Sequence, residues 1–154
     1  TMALCEAAAY YKTQGKTLWD AMIEMYEQFG YYKDAIQSVT MKGIEGLQKI
    51  QEIMNSLRQN PPAEFAGHKV VAVRDYKADT IKNLETGEVT PTGLPNSNVL
   101  YYELTNDAWV CVRPSGTEPK VKFYYGVKGT SLADADEKSA VMGKAVLDMV
   151  DSMM

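Results

Sequence analysis

Residues 98–127 read NVLYYELTNDAWVCVRPSGTEPKVKFYYGV. Two turn signals divide this stretch into three apolar, β-branched and aromatic runs, which predicts strands over 98–104, 108–113 and 120–127. Thr105-Asn106-Asp107 is a tight turn, so the first two runs form a hairpin. In the third, Val121, Phe123, Tyr125 and Val127 alternate with Lys120, Lys122, Tyr124 and Gly126. That period of two belongs to a strand with one buried face. Upstream, 68–76 (HKVVAVRDY) is a fourth β-branched run, and the polar stretch 77–98 between them, with Gly87, Pro91, Gly93 and Pro95, reads as a long excursion loop.

A sheet with one apolar face needs a covering layer, and helical patterns flank these strands. One helix is expected over 41–58, with Ile44, Leu47, Ile50, Met54 and Leu57 on one face, stopped by Asn60-Pro61-Pro62. Ser131 caps a second over 132–150, whose buried side carries Ala135, Val141 or Met142, Ala145, and Leu147 or Met149. Residues 41–154 therefore read as an α+β domain, four mostly antiparallel strands with helices packed on one face. Residues 1–40 precede it as a helical pair without a sheet of its own. Leu4, Ala7, Ala8 and Tyr11 stripe the first helix, which Gly15 stops. Thr17 caps the second, with Asp20 three residues on and a stripe of Leu18, Met22, Met25 and Phe29. Residues 31–40 look extended, and a hinge is placed at 31–45. The chain is expected to begin partway through a larger protein.

The 154 residues carry a net charge of −4 and 45% hydrophobic residues, an ordinary globular balance. No run approaches the ~18 apolar residues of a membrane span. A mildly acidic body disfavours general nucleic-acid binding. The two cysteines, Cys5 and Cys111, form no CxxC pattern, and the N-terminal stretch has no signal-peptide character, so a cytoplasmic location is expected.

Chemistry concentrates in Arg113-Pro114-Ser115-Gly116-Thr117-Glu118-Pro119-Lys120, a loop between two strands. Arg113 offers a planar fork of donors suited to phosphate or carboxylate. Ser115 and Thr117 add hydroxyls, Gly116 leaves the backbone N–H groups approachable, and the two prolines limit the loop's freedom. Residues 113–128 hold four cations (Arg113, Lys120, Lys122, Lys128) against one acid, Glu118, a local +3 on an acidic chain. This is the pattern of a focused anion site; a rigid turn with solvated charges is the alternative.

RPSGTEPKVKFYYGV resembles the C-terminal phosphate-binding loop of the α-D-phosphohexomutases, the phosphoglucomutase/phosphomannomutase superfamily. AAYYKTQGKTLWDAMIEMYEQFGYY resembles the helical tail of their third domain, and GLQKIQEIMNSLRQNPP with KVVAVRDY resembles the start of their fourth. KFYY after the loop is more like the phosphoglucomutase/phosphomannomutase branch than the phosphoglucosamine branch. The resemblance implies a fourth domain of TATA-box-binding-protein-like shape. It further implies an isomerase that moves phosphate between positions 1 and 6 of a hexose, using a phosphoserine, Mg²⁺ and a hexose 1,6-bisphosphate intermediate. Arg113, Ser115, Gly116 and Thr117 match the positions holding the non-reacting phosphate, and Lys122 stands where the family places a Lys or Arg. Lys120 is a weaker match.

The sequence has no serine-centred catalytic loop, no Asp-x-Asp-x-Asp cluster and no Gly-Glu-Glu-Ser sugar loop. Glucose and mannose are thus not distinguished, and the chain alone is expected to be inactive and to bind no cofactor. Asp134, Asp136 and Glu137, and Asp148 with Asp151, read as solvated helix charges. Expected partners are the hexose phosphate and upstream domains, with neither nucleic acid nor membrane, and a homodimer through residues 1–40 is open. The alternative from another class is a stand-alone anion-binding or nucleic-acid-binding module, which a sheet face of lysines and aromatics would favour. Gly43-Ile44-Glu45-Gly46 matches a KH-type GxxG in letters but is acidic where a clamp is basic. His68 reads as a strand-start residue, Cys111 as a packed thiol, and Trp109 with Tyr124 as cross-strand packing or a platform.

Overall fold

A computed structural model describes residues 1–41 and 43–153, and for Ile44 the backbone alone. The elements in chain order are α1 (Met2–Thr13), α2 (Leu18–Phe29), β1 (Tyr31–Thr40), α3 (Gly43–Gln59), β2 (Glu64–Phe65), β3 (His68–Asp75), β4 (Thr80–Asn83), β5 (Val89–Thr90), β6 (Leu100–Leu104), β7 (Trp109–Pro114), β8 (Lys120–Gly129) and α4 (Leu132–Ser152). The strands run β1-β8-β7-β6-β3-β4-β5, with β2 paired to β3 alone, and every pairing is antiparallel.

The α+β class holds, but the expectation of four strands is corrected to eight among the described residues. Two of the additions come from the 77–98 excursion, where Asn83 closes the β4–β5 hairpin by accepting from Glu85 and Thr86 N–H. A hairpin this short writes no periodicity into the sequence. Another is β1, which pairs with β8 along its whole length, from Tyr31↔Gly129 to Thr40↔Lys120. The sheet thus takes in residues on both sides of position 40. The Asn106-Asp107 turn between β6 and β7 has both residues at positive φ (62° and 56°), the I′ geometry that suits a two-residue hairpin.

The core lies on one face. Val110, Val112, Val121, Phe123, Tyr125 and Val127 meet Ile50, Ile53, Met54 and Leu57 of α3 and Met142, Val146 and Val150 of α4. One expected helix face is corrected here, because Leu47 of α3 is 51% exposed. On α4 the expected Ala135 is buried, and of the pair Val141 or Met142 it is Met142 that is buried, with Val141 52% exposed. Ile53 on α3 and Ser139, Gly143, Val146 and Val150 on α4 are buried positions the sequence reading left out. On α4 the buried row 135, 139, 142/143, 146, 150 follows a 3.6-residue period. Expected caps are present: Thr17 and Asp20 form a capping box, and Ser131 accepts from Asp134 N–H. By contrast, α1 and α2 bury no residue, and Leu4 (63%), Trp19 (58%) and Phe29 (64%) stand exposed. Among the described residues, no helix is long and apolar enough to cross a membrane.

Candidate functional site

Antiparallel pairing sets the site, because residues directly opposite share a face with Cβ atoms about 5 Å apart. On the face away from the helices, Arg113 of β7 lies opposite Lys122 of β8, and Lys122 lies opposite Ser38 of β1. The next row along the strands is Cys111, Tyr124 and Ile36, and the next Trp109, Gly126 and Asp34.

The loop between β7 and β8 rises over the Arg113–Lys122 row. Arg113, Pro114, Ser115, Gly116, Thr117, Lys122 and Tyr124 enclose a cleft of about 330 Å³. The loop is folded on itself. Ser115 N–H donates to Lys120 O (2.7 Å), and Ser115 Oγ accepts from Glu118 N–H (3.3 Å) and, at 3.5 Å, Thr117 N–H. Met41 N–H donates to Pro119 O (2.8 Å), tying the loop to the end of β1. A Cβ at Gly116 would meet nothing within 4 Å, so that position opens onto free space. All five sequence-predicted site residues therefore line one cleft, and the structure adds Pro114 and Tyr124. Lys120 instead pairs with Glu118 at 3.1 Å.

On this face of the sheet two cations differ from their neighbours. Lys128 pairs with Asp107 at 2.8 Å, and Arg74 pairs with Glu103. The Lys128 ammonium holds the Asp107 carboxyl below its usual range. Among the described residues, neither Arg113 nor Lys122 has an ion-pair partner within 4 Å. Like charges directly opposite on a sheet are destabilising, so this pair costs the fold stability unless an anion lies between.

Other singled-out residues do structural work. Burial pushes the Cys111 thiol up, leaving it a neutral packing group. His68 Nδ1 sits 3.0 Å from Thr105 O, at the start of β3. Trp109 stacks on Tyr101 (centroids 5.5 Å, planes 11° apart) rather than forming a platform with Tyr124. Asp134 caps Thr130 and pairs with Lys138, Asp136 pairs with Lys33, and Asp148 with Lys144. Among the described residues, no group of three or more His, Cys, Asp or Glu could hold a metal ion.

The sequence model described as phosphoglucomutase/phosphomannomutase, C-terminal domain, matches residues 53–143. The chain belongs to the phosphoglucomutase/phosphomannomutase family. Similar relatives are phosphoglucomutases of Staphylococcus aureus. That of strain bovine RF122 / ET3-1 is 38% identical over 135 residues, 88% of this chain, and that of strain MRSA252 is 37% identical over the same length. The chain spans 24% of the length of these relatives. The phosphoglucomutase parafusin from Paramecium superposes with a TM-score of 0.49 at 12% identity, over 93% of this chain and 24% of its own, a likeness that carries no argument. The matched residues 53–143 of this family domain include the whole cleft loop and Lys122, while β1 lies upstream of them.

Proposed function

We propose that Arg113, Ser115, Gly116, Thr117 and Lys122 hold the phosphate group of a hexose phosphate. The chain then serves as the C-terminal, substrate-phosphate-binding part of a phosphohexomutase. That enzyme interconverts hexose 1-phosphate and hexose 6-phosphate through a phosphoserine and a bisphosphorylated intermediate. The observation that carries this reading is the Arg113–Lys122 pair, two cations directly opposite each other, neither with an ion-pair partner among the described residues, beneath a loop rich in donors. A phosphomonoester dianion answers that charge, and Arg113 offers it a planar fork. The reaction class rests on the relatives' name, phosphoglucomutase.

Catalysis falls to the rest of the protein, which supplies the nucleophile, the Mg²⁺ site and the sugar loop; Mg²⁺ and hexose 1,6-bisphosphate serve there. This part's task is orientation, since misplacing the held phosphate misorients the reacting one. Residues 1–40 are the tail of the preceding domain, with β1 as the strand shared with the sheet of 41–154. The apolar faces of α1 and α2 fit cover by upstream domains, or by a second copy when the chain is isolated. Location is cytoplasmic.

The sheet face does carry lysines and aromatics, as a nucleic-acid-binding module would need. Its outlying cations Arg74 and Lys128 are neutralised by Glu103 and Asp107, and two of its aromatics, Tyr101 and Trp109, stack on each other. What remains is a cationic point suited to a small anion, whereas nucleic-acid binding scales with the number of free cationic contacts.

The test is a titration of the chain with inorganic phosphate, followed by amide chemical shifts. Shifts should centre on Ser115, Gly116 and Thr117 and weaken as salt rises. Arg113→Ala should reduce affinity about tenfold or more. Lys122→Ala should weaken binding less, yet stabilise the unliganded chain by roughly 0.2–1 kcal/mol through relief of like-charge repulsion. Unchanged phosphate binding in Arg113→Ala would sink the reading.

A further inference from the structure

The cleft has two unlike ends. Arg113 and Lys122 form its cationic row, and the loop amides and hydroxyls cover that row. One step along the same face lies an uncharged row, Cys111, Tyr124 and Ile36. Strands advance about 3.4 Å per residue, so the two rows are roughly 7 Å apart, on the scale of one sugar ring. Tyr124 is the member of the second row that lines the cleft. It is half-buried, so its ring is held in place, and among the described residues its hydroxyl makes no hydrogen bond. Cys111 beside it stays neutral because burial disfavours its thiolate. An anion alone would use only the first row. An aromatic ring with an unpartnered hydroxyl, beside a phosphate-sized cationic point, is the lining expected for the carbon body attached to that phosphate.

We infer that Tyr124 is a binding residue for the sugar ring of the phosphorylated substrate, with its ring face against the sugar's C–H groups. The inference rests on the phosphate reading above and adds to it a residue that distinguishes a sugar phosphate from free phosphate. Aromatic packing of this kind changes affinity about three- to tenfold. The ring face carries the contact, and the hydroxyl is the smaller part of it.

The experiment titrates the 154-residue chain, and its Tyr124→Phe, Tyr124→Leu and Tyr124→Ala variants, with inorganic phosphate and with glucose 1-phosphate. The unmodified chain should bind glucose 1-phosphate about three- to tenfold more tightly than phosphate. Tyr124→Phe should keep most of that preference. Tyr124→Leu, which retains apolar bulk, and Tyr124→Ala should lose it, while all four bind inorganic phosphate equally within about twofold. Urea melts of each variant show whether the fold is intact, and Tyr124→Phe against Tyr124→Leu decides the matter if Tyr124→Ala fails to fold. A preference for the sugar phosphate that survives in Tyr124→Leu, or that is absent in the unmodified chain while phosphate still binds, overturns this inference alone. Failure of the unmodified chain to bind either ligand overturns the phosphate reading and this inference with it.

Discussion

Replacing Gly143 by alanine sets two effects of similar size against each other. Gly143 sits mid-helix in α4, where alanine is favoured by about 1 kcal/mol on propensity alone. The helix is buried there against the sheet. A Cβ at this position would collide with the Tyr125 hydroxyl, with Tyr125 Cζ at 3.2 Å and Gln37 Nε2 at 3.1 Å. Comfortable contact needs roughly 3.5 Å or more. Tyr125 is 3% exposed, on β8 between β1 and β7, and its rigid ring cannot swing clear. Overpacking of this sort costs about 1–3 kcal/mol, and the added backbone strain of shifting α4 places this case at the upper end. The net expectation is a loss of about 1–2 kcal/mol, read as a lower urea midpoint at unchanged slope. Tyr125→Phe removes the colliding oxygen, so the double variant should recover much of the loss, and a double-mutant cycle should show favourable coupling. A Gly143→Ala chain as stable as the parent, or more so, would refute the reasoning, because propensity would then have won.

Three further outcomes follow from other parts of the molecule. Asp75→Ala should destabilise the chain by about 1–3 kcal/mol in urea melts, because it removes the carboxylate 3.1 Å from the largely buried Arg58 guanidinium, which keeps only Asn98 and the Met54 carbonyl as acceptors among the described residues, and because Lys77 and Ala78 N–H lose the same acceptor; a cost under about 0.5 kcal/mol would show these contacts to be dispensable. The Thr130 N–H and Lys138 hold the Asp134 carboxyl down to about 2. A depressed carboxylate stabilises above its unfolded pKa of ~4, and that contribution is lost as pH falls toward 2. The stability gap between the parent and Asp134→Asn should therefore shrink between pH 5 and pH 2.5, and an Asp134 carboxyl titrating near 4 by NMR would contradict this. Sedimentation of the isolated chain should show association through α1 and α2, reduced by Leu4→Glu with Phe29→Glu; a monomer at high concentration with ordered amides over 1–30 would exclude it.

Local chemistry made much of this legible. Alternation in Val121–Val127 gave β8 its two faces, the Asn106-Asp107 turn gave the β6–β7 hairpin, and Thr17 and Ser131 marked helix starts. The cleft loop was legible because its residues are contiguous, while Lys122 came from the family resemblance and the structure puts it directly opposite Arg113. What escaped depends on partners far along the chain. Residues 31–40 read as extended, but Tyr31-Tyr32-Lys33-Asp34 lacks the clean alternation that would assign the stretch to the sheet, since an edge strand with an open outer face admits either kind of residue. Leu47 looked buried because helical spacing names a stripe without saying where the covering sheet ends. Alternation places Tyr124 on the same face as Lys122, but that it lines the cleft while Trp109 stacks away on Tyr101 depends on cross-strand neighbours.

The pairing of β1 with β8 also bears on the order in which the protein assembles. Partners in that ladder lie roughly eighty to a hundred residues apart in the chain, whereas β6, β7 and β8 follow one another through short turns. Neighbouring hairpins close first, because short loops lose little entropy, and distant pairings come late. A ribosome releases β1 long before β8 exists. Through that interval ten residues of backbone, with Ile36 on the outward side, have no ladder to join. The time β1 takes to find β8 is therefore the time for which a free edge is open to a second nascent chain.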